Sequence, residues 1–396
     1  MPEESNTQNQ LNSRIVITGG GSGGHVSAAS GLIDEIIEKY PDSKQNILYV
    51  GGKLVSETRK EGKSVEQMRF ENTDIPFIAI RGGKLQRSFS LKSISLIFGV
   101  FGGIIDSFKV LGKFKPDFIF STGGFVSLPV CLVGWLKKIP IYLHEQTAAV
   151  GLTNKIVGKV AKKVFVTFPQ SIKYFKPGKA IHTGNLIRKS IFISNSKGEI
   201  SSAIRKMLPE KDTLPIVYVS GGGLGSHTIN IVVRQMLKYA LGEFQIILQT
   251  GDNGLNKDYE VLVKDKATLG NLNSRFYVTK YVSNEEIGFL FKNIDIYVGR
   301  AGANTVYEMG IFMKPSILIP IPWVTHDEQN KNAQILVDCG IGTILPEGEL
   351  TAEALYERMK NMKKCIHEDT FCANKEKLKE IFVTDGSKKV LTAIGL

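Results

Sequence analysis

Cysteine is scarce: four in 396 residues (Cys131, Cys339, Cys365 and Cys372), with no C-x-x-C pair among them. Such scattered thiols support neither a disulfide framework nor a zinc knuckle. Long apolar runs are also missing. The uncharged apolar stretch between Lys92 and Asp106 has only 13 residues and is interrupted by glycine, whereas a membrane-spanning helix needs roughly 20. The opening residues MPEESNTQNQLNS are polar and acidic, unlike a secretory signal, so the chain is expected to be cytosolic. The 40 glycines fall in short loops and follow no fixed period, which excludes collagen and solenoids.

What is present is a globular chain, 42% hydrophobic and 22% charged. Its length predicts two or three domains. The net charge of +12 favours an anionic partner: nucleic acid, a membrane surface or a phosphorylated substrate. Between Arg81 and Lys115, seven basic residues face one acid, Asp106, and are interleaved with Phe89, Leu91, Ile97, Phe98 and Phe101. A basic stretch this apolar fits a membrane surface better than a nucleic acid.

Two segments resemble each other. Arg14–Thr18 and Pro215–Ser220 each read as a buried strand, followed by a glycine loop (19–24, 221–225), a helix and another apolar run. Further strands are expected at 118–121, 139–143, 164–167, 275–278, 294–298 and 316–320. Strands alternating with helices predict parallel sheets, and the double beginning predicts two Rossmann-like domains. The expected division is a disordered tail over 1–13, an N-terminal domain over 14–185, a C-terminal domain over 186–370, and a closing helix over 371–396 that can return to the first domain.

Gly19, Gly21 and Gly24 satisfy G-x-G-x-x-G between a strand and a helix, where loop glycines let a phosphate approach the helix-start N–H groups. A nicotinamide dinucleotide also calls for an acid about 20 residues on, and neither glycine loop has one. The bland alternative is that the glycines only permit tight turns. A third loop, 299–304, precedes a helix expected to start at Thr305. There Thr305 and Glu308 have capping-box spacing. Polar groups then cluster over 320–332. Polar residues after several strand ends point to a cleft between two domains, and a sugar nucleotide suits such a site. No D-x-D triplet occurs, so no metal or cofactor is expected. Helix-end N–H groups with Arg or Lys are left to neutralise a departing diphosphate.

Taken together, these motifs resemble the MurG family, bacterial transferases that move N-acetylglucosamine from UDP-GlcNAc to a lipid-linked muramyl-pentapeptide, lipid I. The likeness runs from about residue 14 to 345. It rests on GGGSGGHV (19–26), STGGFVSLP (121–129), LHEQ (143–146) with GLTNK (151–155), GNLIR (184–188), GGGLG (221–225) with Asn230, RAGANTVYE (300–308) and EQNKNA (328–333). The resemblance implies a GT-B fold, two Rossmann-like domains facing across a cleft, and an inverting, metal-independent transfer.

On that resemblance the donor is met by Arg188, by Gly222 and Gly223 at the diphosphate, and by backbone at Val282 for the uracil. Thr305 adds a phosphate contact, Glu308 takes the ribose, and Gln329 and Asn332 take the sugar hydroxyls. The acceptor falls to Ser22, Gly23 and Gly24, to Gly123, Gly124 and Phe125, and to His144, Glu145 and Asn154. His25 becomes the general base, since an unperturbed histidine titrates near 6.5. Lys84, Arg87, Phe89, Leu91, Ile97, Phe98, Phe101 and Trp135 are expected to dock on anionic lipid at the cytoplasmic membrane face, as a peripheral contact. The alternative is that the apolar members belong to an ordinary core helix.

The chain also departs from the family pattern. Ser27 and Ala28 follow His-Val, and Ser22, Phe125, Thr147, Gly223 and Glu328 replace the usual residues. Three other readings therefore remain: a GT-B transferase with another sugar nucleotide or glycolipid, a UDP-GlcNAc 2-epimerase, and a catalytically silent membrane-bound scaffold. No nucleic-acid motif is present.

Overall fold

Strand β1 (Ile15–Gly19) shows how the first unit is built. Ile15 and Ile17 point into one apolar cluster and Val16 into another, so the strand is buried on both faces. That is the signature of a parallel sheet with helices on each side. The computed structural model describes residues 11–53, 64–71, 73–81, 91–193, 197–252, 254–367 and 373–396; side chains are described for all of these except 65, 91–99, 325 and 367.

The other strands of this sheet are β2 (Ile47–Gly52), β3 (Phe77–Ile80), β4 (Phe118–Gly123), β5 (Ile141–Glu145), β6 (Lys163–Val166) and β7 (Ala180–His182). Their order is β3-β2-β1-β4-β5-β6-β7, parallel throughout. This unit comprises residues up to Arg188 together with Val383–Leu396. Val390 and Leu391 of the last helix, Gly386–Ile394, lie in the same cluster as Ile15 and Ile17. Ser387 Oγ donates to the Gly31 carbonyl at 3.2 Å.

The second unit, Lys189–Phe382, holds β8 (Ile216–Ser220), β9 (Gln245–Gln249), β10 (Phe276–Thr279), β11 (Ile296–Gly299), β12 (Ser316–Leu318) and β13 (Gly342–Ile344). Their order, β10-β9-β8-β11-β12-β13, is again all parallel. It is the 3-2-1-4-5-6 order of a Rossmann sheet. In both units the strand order reverses beside the first strand, and ligands of such sheets bind there, at the carboxyl ends of the strands.

Some sequence expectations need amending. The units divide after Arg188 and Phe382, where 185 and 370 were expected. Leu11, assigned to the tail, is 3% exposed and packs in the core. Strands β3, β7 and β13 were not foreseen; each has three or four residues, too few to show an alternating pattern. The third-loop helix runs Ala303–Ile311 with Gly302 at its N-cap. Thr305 is therefore its third residue, and a Thr305–Glu308 capping box does not form.

Candidate functional site

In the N-terminal unit two glycine loops leave the adjacent ends of β1 and β4. They interlock: Gly20 N–H donates to the Gly123 carbonyl at 3.2 Å. Gly124 has φ +85°, and a β-carbon there would lie 2.0 Å from the Gly20 oxygen. Only glycine permits that approach. His25 enters from the first turn of helix Gly23–Lys39, and its Nδ1 lies 2.7 Å from the Thr122 carbonyl oxygen. A carbonyl only accepts, so Nδ1 carries the proton and Nε2 keeps its lone pair. Thr122 Oγ1 donates back to the His25 carbonyl at 3.0 Å. Gln146 Nε2 donates to the Thr122 carbonyl at 3.3 Å, completing the clamp. Burial holds the His25 pKa below its ordinary value, while the Thr122 carbonyl opposes the shift. The ring is thus a neutral base around pH 7.

Strand β5 ends beside this clamp in His144 and Glu145, Gln146 follows, and all three are buried. His144 Nε2 lies 3.1 Å from the Gly184 carbonyl, to which it donates. Burial drives its pKa down to about 4, and Nδ1 is buried without a partner. Glu145 accepts from the Thr147 amide (2.9 Å), from Thr147 Oγ1 (2.8 Å) and from Asn154 Nδ2 (2.9 Å). Burial raises the Glu145 pKa and these donors lower it, with burial the larger effect. Thr147, one of the departures, is therefore a direct partner of Glu145. Of the loop residues expected to meet the acceptor, Ser22 and Gly23 are exposed, while Gly24, Gly124 and Phe125 are half-buried.

In the C-terminal unit the loop 221–225 leaves β8. Gly222 N–H donates to Ser220 Oγ at 3.1 Å, and Ser226 caps helix His227–Ala240. Gln249 links three parts of the site. Its Nε2 donates to the Gly222 carbonyl (3.3 Å), and its Oε1 accepts from Tyr218 Oη (3.0 Å) and from the Val282 amide (3.1 Å). Val282 thus has its N–H engaged, and its carbonyl is the group left to read a base. Beyond β11, Arg300 is 6% exposed and reaches Ser226 Oγ (2.9 Å), the Ile319 carbonyl (3.1 Å) and Glu347 (2.5 Å). Gln329 Oε1 accepts from the amides of Ala301 (3.3 Å) and Ile321 (3.1 Å). Asn332 is fully buried and donates to the Ala301 carbonyl at 3.2 Å. As placed, Asn332 braces the loop that follows β11. Thr305 hydrogen-bonds the buried Tyr297 phenol, and Glu308 on the same helix is half-buried. Arg188 is the last residue of the N-terminal unit, so it belongs to a different unit from the other expected donor residues.

A cavity of about 900 Å³ in the C-terminal unit, lined by Lys206, Lys266 and Tyr277, contains none of these residues. Of the expected membrane residues, Lys84, Arg87 and Phe89 lie outside the described residues, as do the side chains of Leu91, Ile97 and Phe98. Phe101 and Trp135 are 60% and 53% exposed. Phe101, Ile105 and Phe108 recur at i, i+4 and i+7 on helix Leu91–Phe114, one face of a helix, and are all exposed. Leu136 is exposed as well, and Lys137 Nζ lies 5.4 Å from the Phe108 ring centre. Among the described residues no helix is long and apolar enough to cross a membrane.

Sequence motifs underplayed several side chains that organise these loops: Thr122, Gln249 and Arg300, and Glu66, whose carboxylate accepts from the Gly21 amide. Their partners lie tens of residues away, so no local spacing marks them.

Two parallel-sheet Rossmann-like domains, each with a glycine loop where the strand order reverses, are the architecture of GT-B glycosyltransferases. Residues 15–166 match the glycosyltransferase family 28 N-terminal domain and residues 216–390 its C-terminal domain. A Clostridium botulinum protein named UDP-N-acetylglucosamine--N-acetylmuramyl-(pentapeptide) pyrophosphoryl-undecaprenol N-acetylglucosamine transferase is 35% identical over 347 residues, covering 87% of this chain and 90% of that protein. A Bacillus anthracis protein of the same name, numbered 2, is 32% identical over 350 residues, covering 88% and 91%. The chain belongs to glycosyltransferase family 28 and, within it, to the MurG family. Among solved structures, Acinetobacter baumannii MurG superposes with a TM-score of 0.65 at 21% identity, covering 96% of this chain and 99% of that one. The Neisseria meningitidis UDP-GlcNAc 2-epimerase gives 0.62 at 14% identity, covering 96% and 99%. These two likenesses concern the fold.

Proposed function

We propose that this chain transfers N-acetylglucosamine from UDP-GlcNAc to the sugar of a lipid-linked muramyl-pentapeptide pyrophosphate, with inversion at the anomeric carbon. The observation that carries the chemistry is the His25 clamp. With the proton held on Nδ1 by the Thr122 carbonyl, Nε2 is free to take the proton of the acceptor hydroxyl. The hydroxyl oxygen then attacks the anomeric carbon, the bond from that carbon to the diphosphate oxygen breaks, and UDP departs with the bonding pair. The resulting imidazolium is stabilised by the same Thr122 carbonyl. One base and no covalent intermediate suffice.

The C-terminal unit is assigned the donor. The open loop at Gly222 and Gly223, with the Gly223 amide, and the start of helix His227–Ala240 suit the diphosphate. The Val282 carbonyl matches the one N–H that uracil offers. Glu308 is assigned to the ribose, Thr305 to a phosphate and Gln329 Nε2 to the sugar hydroxyls, with Asn332 holding the loop behind them and Arg188 as a further donor contact. The two interlocked loops of the N-terminal unit, with His144, Glu145 and Asn154 behind them, are assigned the acceptor. The exposed apolar face around Phe101 and Trp135, with its lysines, supports a peripheral seat on anionic lipid at the cytoplasmic membrane face.

The test is UDP release from UDP-GlcNAc with and without a short-chain lipid I analogue, comparing wild type with His25→Ala. We expect acceptor-dependent release that falls at least about 100-fold in the variant. Acceptor-dependent release that survives the substitution sinks the base assignment. No release despite UDP-GlcNAc binding sinks the acceptor assignment.

A further inference from the structure

Gln249 is the last residue of β9, in register with Ser220 at the end of β8 and with Thr279 at the end of β10. It therefore stands between two loops, the glycine loop 221–225 that follows β8 and the segment at Val282 that follows β10. The side chain is 8% exposed, and both ends of its amide are engaged. Oε1 accepts from Tyr218 Oη and from the Val282 amide, and a backbone amide can only donate. That fixes the oxygen at this end and leaves Nε2 for the Gly222 carbonyl. Tyr218 is itself held: it is 4% exposed, with its ring centre 5.8 Å from that of Tyr297.

The Nε2 end decides which way one peptide faces. The Gly222 carbonyl accepts from Gln249 Nε2 at 3.3 Å and from the Gly225 amide at 3.1 Å. This peptide is trans, and in a trans peptide the C=O and N–H point to opposite sides. The Gly223 N–H shares its peptide with that carbonyl, so it is aimed away from Gln249. β-Carbons built on Gly222 or Gly223 would meet no atom within 4 Å, so the loop is open. Glycine on both sides of the peptide, with Gly222 at φ +85°, leaves no side chain to resist a rotation that exchanges N–H and C=O. After such a rotation an approaching anion would meet the negative end of a carbonyl. The hydrogen bonds to the Gly222 oxygen are what oppose it.

We propose that Gln249 is a positioning residue for the sugar-nucleotide donor, locking the Gly222–Gly223 peptide with its N–H turned outward to the diphosphate. Through Val282 the same side chain ties that aim to the segment assigned to the base. This rests on the donor assignment made above.

The experiment is calorimetric titration of the full-length chain with UDP, with uridine read by displacement of UDP. The ratio of the two affinities measures what the diphosphate contributes. A variant that is merely less well folded weakens both ligands together and leaves the ratio alone. Gln249→Glu keeps an acceptor for Tyr218 and Val282 but no donor for the Gly222 carbonyl. It is expected to hold uridine within about threefold and to weaken UDP at least about tenfold. Gln249→Met is the neutral control, with no charge to repel a phosphate. Its ratio is expected to fall at least about threefold. An unchanged ratio in Gln249→Met overturns the proposal, even where Gln249→Glu loses UDP, because added charge alone then accounts for that loss. Should Gln249→Met fail to fold, Gln249→Asn decides: it is neutral and one methylene too short to reach the Gly222 carbonyl, so the same fall is expected and an unchanged ratio overturns the proposal. A wild type that binds no UDP overturns the donor assignment instead.

Discussion

His25 Nδ1 lies 2.7 Å from the Thr122 carbonyl oxygen, and Gln146 Nε2 lies 3.3 Å from the same Nδ1. The carbonyl fixes the tautomer, and the neutral amide, which donates to that same carbonyl, adds no charge beside the ring. Since burial keeps the His25 pKa below its ordinary value, the base form persists to mildly acid pH. The acid limb of kcat/KM in wild type is therefore expected below pH 6.5.

Gln146→Glu tests that arrangement. A carboxylate beside the imidazole favours the protonated ring and raises its pKa by about 1–3 units. As pH falls, the variant then loses its base earlier, and the acid limb moves to higher pH by a similar amount. A pH profile of kcat/KM for both proteins reads this directly. An unmoved limb means that His25 is not the titrating base.

Glu145 makes the opposite kind of prediction, one about stability. Its folded pKa is raised, chiefly by burial, so the folded state holds this proton more tightly than the unfolded state does. Stability then decreases as pH rises from the unfolded value, about 4.5, through the folded one. Glu145→Gln removes the titration. Asn154 Oδ1, buried without a partner, can accept from the new amide once the Asn154 side chain flips. Urea denaturation across pH 4–8 should show a downward slope for wild type that flattens in Glu145→Gln. Parallel slopes contradict the assignment.

The parts of the fold legible in the sequence were those set by short-range pattern. Ile15, Val16 and Ile17 alternate between two cores, and the run of glycines from Gly19 marks the loop that follows. Strand β13 gave no such signal: Gly342, Thr343 and Ile344 are all half-buried, and the strand exists because β12 offers it a free edge. The site was legible as residue types in order, but not as partners. Asn332 reads as a ligand contact because it is polar and follows a strand end; burial against Ala301 makes it a brace. Glu66 sits in a charged stretch with nothing local to single it out, and its meaning comes from the Gly21 amide 45 residues earlier. Likewise, Thr305 and Glu308 have the spacing of a cap, but the chain turns helical two residues sooner, at Ala303.

The last prediction concerns the exposed apolar face. Phe101 and Trp135 present aromatic rings to solvent, with Lys109, Lys113, Lys137 and Lys138 exposed on the same two helices or just beyond them. Burying a large apolar side chain is worth about 1.5–3 kcal/mol, and each lysine near an anionic surface adds about 1 kcal/mol that salt screens. Phe101→Ser with Trp135→Ser should weaken sedimentation with vesicles containing anionic phospholipid by at least about tenfold. Lys137→Glu with Lys138→Glu should weaken it mainly at low salt, because charge acts within a Debye length while apolar burial does not. Wild-type binding should persist in part at high salt if the rings insert, and vanish if charge alone holds the protein. Vesicle binding unaffected by either pair of substitutions would place the membrane contact elsewhere on the chain.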